Sequence, residues 1–186
     1  MSDDYLIRQT APTLAGIKTG SLFTCQYESY ETVKDEIRAF NRTLVKKGLR
    51  LIPLRRSETR VLLYLYRPSR LRNDLAAPCA EEILRREGYA ELREDYCLCE
   101  IGRRLRRFGD FPHEIGLFLS YPPEDVKGFM ENRGSGCKCV GCWKVYGDEA
   151  RAKRLFRKYK RCTERYCRKV AQGKSIGELA VGSRGE

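Results

Sequence analysis

A chain of 186 residues, 41% hydrophobic and 10% aromatic, carries enough apolar material for a folded core, and its 33% charged residues lie in two-sided segments that exclude a disordered composition. Lysine and arginine exceed aspartate and glutamate by 37 to 25, and the net charge of +12 favours anionic partners: nucleic acid, acidic proteins, phosphorylated ligands or a membrane surface. The acidic opening Ser2-Asp3-Asp4 has no apolar run behind it, and runs such as Val61 to Tyr66 are far too short to span a bilayer, so a cytoplasmic protein with neither secretory signal nor membrane span is expected.

No repeat, low-complexity tract or linker divides the chain, and residues 1–186 read as a single domain. Residues 11–23 are rich in small side chains, with Gly16 and Gly20 flanking Lys18, and no period there selects helix or strand. From Glu31 the spacing of Val33, Ile37, Phe40 and Leu44 predicts an amphipathic helix, capped near Gly48. Leu49 to Leu54 and Arg60 to Tyr66 predict a β-hairpin, and Pro53, which has no amide proton for a ladder, places the first run at a sheet edge. Arg70 to Arg86 reads as helix, interrupted or restarted at Pro78. Leu98, Ile101, Leu105 and Phe108 form a further helical stripe closed by Gly109.

Ile115 to Ser120 reads as a short buried strand, stopped by Pro122-Pro123. Pro123, Glu124 and Asp125 then suit the first turn of a helix that ends before Gly134. Cys139 to Tyr146 reads as a strand. Asp148 opens the longest helix, with Leu155, Tyr159, Cys162, Tyr166 and Val170 on one face and Gly173 at its end; a short amphipathic turn from Ser175 to Leu179 follows. This order lacks clean βαβ repetition and predicts an α+β fold: a small, mostly antiparallel sheet covered by helices, with a long basic C-terminal helix.

Nine cysteines in a reducing compartment are packing groups, metal ligands or reactive thiols rather than disulfides. The clip Cys137-Lys138-Cys139-Val140-Gly141-Cys142 supplies three soft ligands from one short segment, suited to zinc or iron, iron–sulfur included. Cys97 and Cys99 complete a four-ligand set if the fold brings them near; buried, inert thiols are the plain alternative. The single histidine, His113, with Glu114 and Lys18, is the candidate set for acid–base chemistry on an anionic substrate, a structural histidine being the alternative. Lys18-Thr19-Gly20-Ser21 matches neither a phosphate-binding P-loop nor the Lys-Thr-Gly element of penicillin-binding enzymes. On the last long helix, Arg154, Arg157, Lys158, Arg161 and Arg165 are candidate contacts to an anion or nucleic acid, against the alternative of a solvated basic face with its tyrosines packed inward.

The stretches Ala11 to Gly20 (APTLAGIKTG), Phe111 to Val126 (FPHEIGLFLSYPPEDV), Trp143 to Tyr146 (WKVY) and the closing helix with Tyr159, Cys162 and Tyr166 resemble domain-of-unknown-function family 3793, small proteins of mainly anaerobic bacteria. The resemblance brings no established activity. It implies, by association, a setting beside ferrous-iron uptake and flavodoxin, hence iron or redox metabolism and an acidic partner such as flavodoxin. Three functions are therefore carried forward: a metal- or thiol-dependent accessory protein, a basic binding module for nucleic acid or an acidic protein, and a small enzyme using His113 on an anionic substrate.

Overall fold

The structure is a computed structural model that describes residues 2–107 and 111–182. It opens with α1 (Asp3–Leu14), capped by Ser2, whose hydroxyl accepts from the Tyr5 amide, while Asp3 and Asp4 put negative charge at the helix's positive end. The chain then folds back on itself. The Pro12 carbonyl accepts from the amides of both Ile17 and Lys18, and Gly16 turns the corner at φ +73°, a conformation that glycine adopts freely. There follow β1 (Gly20–Gln26), α2 (Tyr30–Leu44), β2 (Arg50–Arg56) and β3 (Arg60–Tyr66). After them come α3 (Pro68–Leu75), α4 (Pro78–Arg86), α5 (Glu94–Arg106), α6 (Ile115–Phe118) and α7 (Pro123–Glu131). The chain ends in β4 (Cys139–Val140), β5 (Lys144–Val145), α8 (Glu149–Ala171) and α9 (Ile176–Leu179).

The first three strands make an antiparallel sheet in the order β1-β3-β2. β3 is its centre, and the two-residue period of a strand sends its side chains into two cores. Val61, Leu63 and Leu65 meet Leu6, Ile7, Leu14, Val33 and Ile37 beneath α1 and α2, with Tyr166 of α8. Tyr64 and Tyr66 point the other way, toward Leu71, Ile83, Ile101 and Phe118 of the middle helices. The α+β expectation holds, and helices cover both faces of the sheet. β2 is an edge strand, as Pro53 requires, and its register slips between Pro53 and Arg55.

Two local expectations are corrected. Residues 115–120 are not a strand: Ile115 to Phe118 form α6, a single turn whose four residues are all buried. A short apolar run satisfies either structure. Here no strand of the described residues lies alongside to pair with it, and local bonds such as Leu117 amide to Glu114 carbonyl satisfy the backbone instead. Likewise Cys139 to Tyr146 is not one strand but the two-residue strands β4 and β5, paired Cys139 with Val145 and Val140 with Lys144. The turn between them contains Gly141, whose Cα lies so close to the Phe156 ring that a Cβ has no room. Phe108 and Gly109, expected to close the fifth helix, lie outside the described residues.

Candidate functional site

The return after α1 delivers Lys18 into an aromatic enclosure. Its ammonium sits 6.0 Å from the ring centroids of Tyr121 and Tyr159, at the outer reach of a cation–π contact. Tyr121 stacks on Trp143 with centroids 4.8 Å apart, and Trp143 meets Phe156 edge-on at 4.5 Å. Burial pulls the Lys18 pKa down from 10.5 to about 8, and among the described residues the one titratable neighbour acting against that shift is the Cys142 thiol. That thiol is no counter-ion at neutral pH. Although Cys142 keeps exposed surface, the protein around its sulfur pushes its pKa up, more than the nearby Lys18 pulls it down. Burial likewise raises Tyr121 and pushes Tyr159 up to about 12. The amine is therefore crowded by neutral groups.

Tyr121 and Tyr159 are also walls of a cleft of about 410 Å³, which Thr19, Arg70, Asn73, Asp74 and Ser120 help to line. Thr19 is buried and ties three segments together. Its amide donates to Ser120 Oγ at 2.6 Å, its hydroxyl donates to Asp74 Oδ2, and its carbonyl accepts from the Arg67 amide at 2.9 Å. Ser120 holds φ at +62°, a left-handed conformation that costs a non-glycine residue energy, and such strain gathers at functional sites. Burial raises the Asp74 carboxyl, while the Thr19 hydroxyl and then Arg70 oppose the shift. Arg151, at the cleft's edge, is loosely paired to Glu124 at 3.7 Å.

Ile17 separates this cleft from a second hollow along α8, a groove of about 390 Å³. Ala15, Ile17, Cys162 and Tyr166 line its floor, and Lys158, Arg161, Arg165 and Lys169 border it. Spacings of three, four and four put those cations on one helical stripe. Of the predicted anion contacts, Lys158, Arg161 and Arg165 thus share one groove, whereas Arg154 and Arg157 are exposed on α8 outside it. Tyr159 and Tyr166 are packed inward, as the solvated-face alternative expects, and the Tyr166 hydroxyl donates to the Leu179 carbonyl at 3.1 Å.

The cysteines are dispersed. Cys97 is buried against the sheet's second core, where burial pushes its thiol up to about 11, and Cys99 is exposed on the same helix. In the hairpin, Cys139 lies near Glu149 and Cys137, its thiol raised by partial burial first and by Glu149 next, while Cys142 turns toward Lys18. Among the described residues no three His, Cys, Asp or Glu side chains are gathered as a group able to hold a metal ion. His113 packs edge-on against Phe129 with centroids 4.8 Å apart. Glu114 is buried and accepts from the Tyr89 hydroxyl at 3.1 Å and from Arg104 Nη1 at 3.3 Å. Burial raises its carboxyl, and Arg104 opposes the rise. These two residues border a hollow with Arg104 and Met130, and neither lines the cleft beside Lys18. Arg70 and Asp74, polar partners of that cleft, carry no sequence signal that singles them out, and Ser120 and Tyr121 stand out only as part of the 111–126 stretch.

The stretches that carry the family resemblance meet at this place: residues 11–20 supply Lys18 and Thr19, residues 111–126 supply Ser120 and Tyr121, and the other two supply Trp143 and Tyr159. No helix among the described residues is long and apolar enough to cross a membrane. No curated protein and no solved structure matches the chain. The family model described as a protein of unknown function, DUF3793, matches residues 6–180, and the chain belongs to that family.

Proposed function

We propose that the protein is a binding module whose α8 groove docks an acidic segment of a partner protein. The observation that carries this reading is the row of Lys158, Arg161, Arg165 and Lys169 along an apolar floor, with no carboxylate of the described residues in ion-pair contact with them. Such a row concentrates anions and speeds their approach. Single exposed ion pairs are worth about 0.2–1 kcal/mol, so affinity has to come from several together with the floor. Ala15 and Ile17 suit the apolar side chains of a peptide, whereas the inward packing of Tyr166, the tyrosine of this groove, denies a nucleic-acid base the open aromatic face that single-strand binding uses. Flavodoxin, which the family resemblance implies, is an acidic protein of fitting charge. The test is fluorescence anisotropy with a labelled glutamate-rich peptide containing leucines, and with a DNA duplex of equal charge. The peptide is expected to bind with an affinity that falls steeply with salt, and Arg161→Ala with Arg165→Ala to weaken it about tenfold or more. Salt-insensitive binding, or a duplex that binds more tightly than the peptide, overturns the reading.

A second reading, of a thiol- or metal-dependent accessory protein linked to iron or redox metabolism, draws support from the nearness of Cys137 and Cys139 and from Cys142 beside Lys18. Zinc or iron at the clip requires Cys142 to turn from Lys18 toward the other two sulfurs. Metal content per chain, measured on anaerobically purified protein, is then expected to be near stoichiometric and lost on Cys139→Ser. A folded, metal-free protein whose thiols react no faster than an ordinary cysteine's would remove this reading.

A further inference from the structure

We infer that the cleft beside Lys18 binds a small organic anion of the nucleoside monophosphate class, with its flat ring against the Tyr121, Tyr159 and Leu155 wall and its anionic group toward Arg70, which lines the cleft, and within the field of Lys18, whose ammonium meets the Tyr121 and Tyr159 rings. The site lies across Ile17 from the docking groove and is independent of it.

Shape comes first. At about 410 Å³ the cleft is at the small end of ligand pockets, which run from roughly 300 to 1,000 Å³. Its wall is apolar and aromatic, from Leu117, Tyr121, Leu155 and Tyr159, and such surfaces accept the face of a heterocycle. Asn73, exposed at the edge, presents both a donor and an acceptor to the rim of such a ring. Thr19 and Asp74 are held by mutual hydrogen bonding, and Ser120 is held in a strained conformation that Thr19 secures, so the polar floor is organised before any ligand arrives.

Charge supplies the second argument. Arg70 is exposed at the cleft and has no ion pair with a described residue, and Arg151 is held only loosely by Glu124. Lys18 is enclosed by rings and a neutral thiol. A crowded ammonium without an anion is an unfavourable arrangement that a bound anion relieves. Asp74 is the one acid among the described residues of the lining, and it is engaged by Thr19. Ring recognition and anion recognition thus converge on one hollow, which free phosphate or an uncharged nucleoside would satisfy only by half.

The experiment is titration calorimetry of the full chain near pH 8 with the common nucleoside monophosphates, the corresponding nucleosides and inorganic phosphate. At least one monophosphate is expected to bind, with its nucleoside and inorganic phosphate each about tenfold weaker or worse. Because burial pulls the Lys18 pKa down to about 8, an anion that draws it back up is expected to take up protons on binding, seen as a heat that depends on the buffer's ionisation enthalpy. The phosphate's own second ionisation, near pH 6, is complete and adds nothing. Lys18→Met, which keeps the length and apolar stem of the side chain, is expected to weaken binding about tenfold and abolish the proton uptake. Arg70→Ala, a surface change that leaves folding intact, is expected to weaken binding similarly while the proton uptake remains. Arg161→Ala is expected to leave both unchanged, which separates this site from the docking groove. Failure of every monophosphate to bind, inorganic phosphate binding as tightly as the best of them, or unaltered binding in the Arg70→Ala protein would each overturn the inference.

Discussion

Replacing Arg67 with methionine is expected to lower the unfolding free energy by about 3–5 kcal/mol. Only 3% of Arg67 is exposed, and among the described residues its guanidinium is paired with no carboxylate. It donates instead to three backbone carbonyls: Nε to Thr13 at 2.8 Å, and Nη2 to Leu14 at 2.8 Å and to Val181 at 2.7 Å. Thr13 and Leu14 close α1, whose last carbonyls have no partner within the helix and carry its negative pole, so a cation there is favoured twice over. Burial pulls the Arg67 pKa down, yet a guanidinium remains charged throughout the accessible pH range. Methionine fills much of the same volume, so the expected loss reflects three charge-assisted hydrogen bonds rather than a cavity; the Thr13 and Leu14 carbonyls keep the Gly16 and Val181 amides, and the Val181 carbonyl loses its described donor. Arg67→Lys keeps the charge but lacks the planar fork, and should recover only part of the loss. The measurement is the urea midpoint at an unchanged slope. A loss below about 1 kcal/mol would mean that the remaining backbone amides and water satisfy these carbonyls, and that the arginine is not what pins α1 to β3 and to Val181.

The elements that the sequence made legible are those whose own period decides their structure. Val33, Ile37 and Leu44 are buried along α2, and Tyr159 and Tyr166 along α8, as a helical repeat requires. The β2–β3 hairpin followed from two apolar runs and the edge preference of Pro53. α1 was not legible, because it buries Thr10, Thr13 and Pro12 as well as aliphatic side chains. Its threonines are satisfied locally or by one distant partner: Thr10 Oγ1 donates to the Leu6 carbonyl at 2.6 Å, and Thr13 bonds Ser21 Oγ at 2.9 Å. Buried polar side chains of that kind blur the apolar stripe on which the reading depends. α6 failed for a different reason, since four buried residues in one turn show no period at all. The candidate site divides in the same way. Lys158, Arg161 and Arg165 lie on one helix and were legible only as part of a basic run that also held Arg154 and Arg157, whereas the Thr19–Ser120 bond joins residues 101 apart and the Thr19–Asp74 bond residues 55 apart. Lys18, His113 and Glu114 were grouped by chemistry alone, and the fold places His113 and Glu114 at a different hollow.

Asp125→Asn is expected to cost about 2–4 kcal/mol and to loosen the cysteine hairpin from α7. Asp125 is 3% exposed and accepts three hydrogen bonds, each 2.7 Å long: Oδ2 from Trp143 Nε1, and Oδ1 from the amides of Tyr146 and Gly147. Three donors converge on two oxygens. Asparagine offers one oxygen and turns an NH2 group toward whichever donor remains, so at least one N–H loses its acceptor in a dry site. Hydrogen bonds to a charged acceptor contribute about 1.5–3 kcal/mol each, which makes this change of a single atom large. It also reaches the site, because the same carboxylate fixes the indole that packs against Phe156 and stacks on Tyr121, one of the two rings at Lys18. Maleimide labelling should therefore be faster at Cys139 and Cys142 in the Asn variant, with Cys97, buried in the separate core beside the sheet, unchanged. Equal acceleration at all three would indicate global destabilisation rather than local release. Unchanged rates and stability would mean that the hairpin is held by Val145 and Trp143 packing alone, and that the carboxylate is not the link between the two segments it joins.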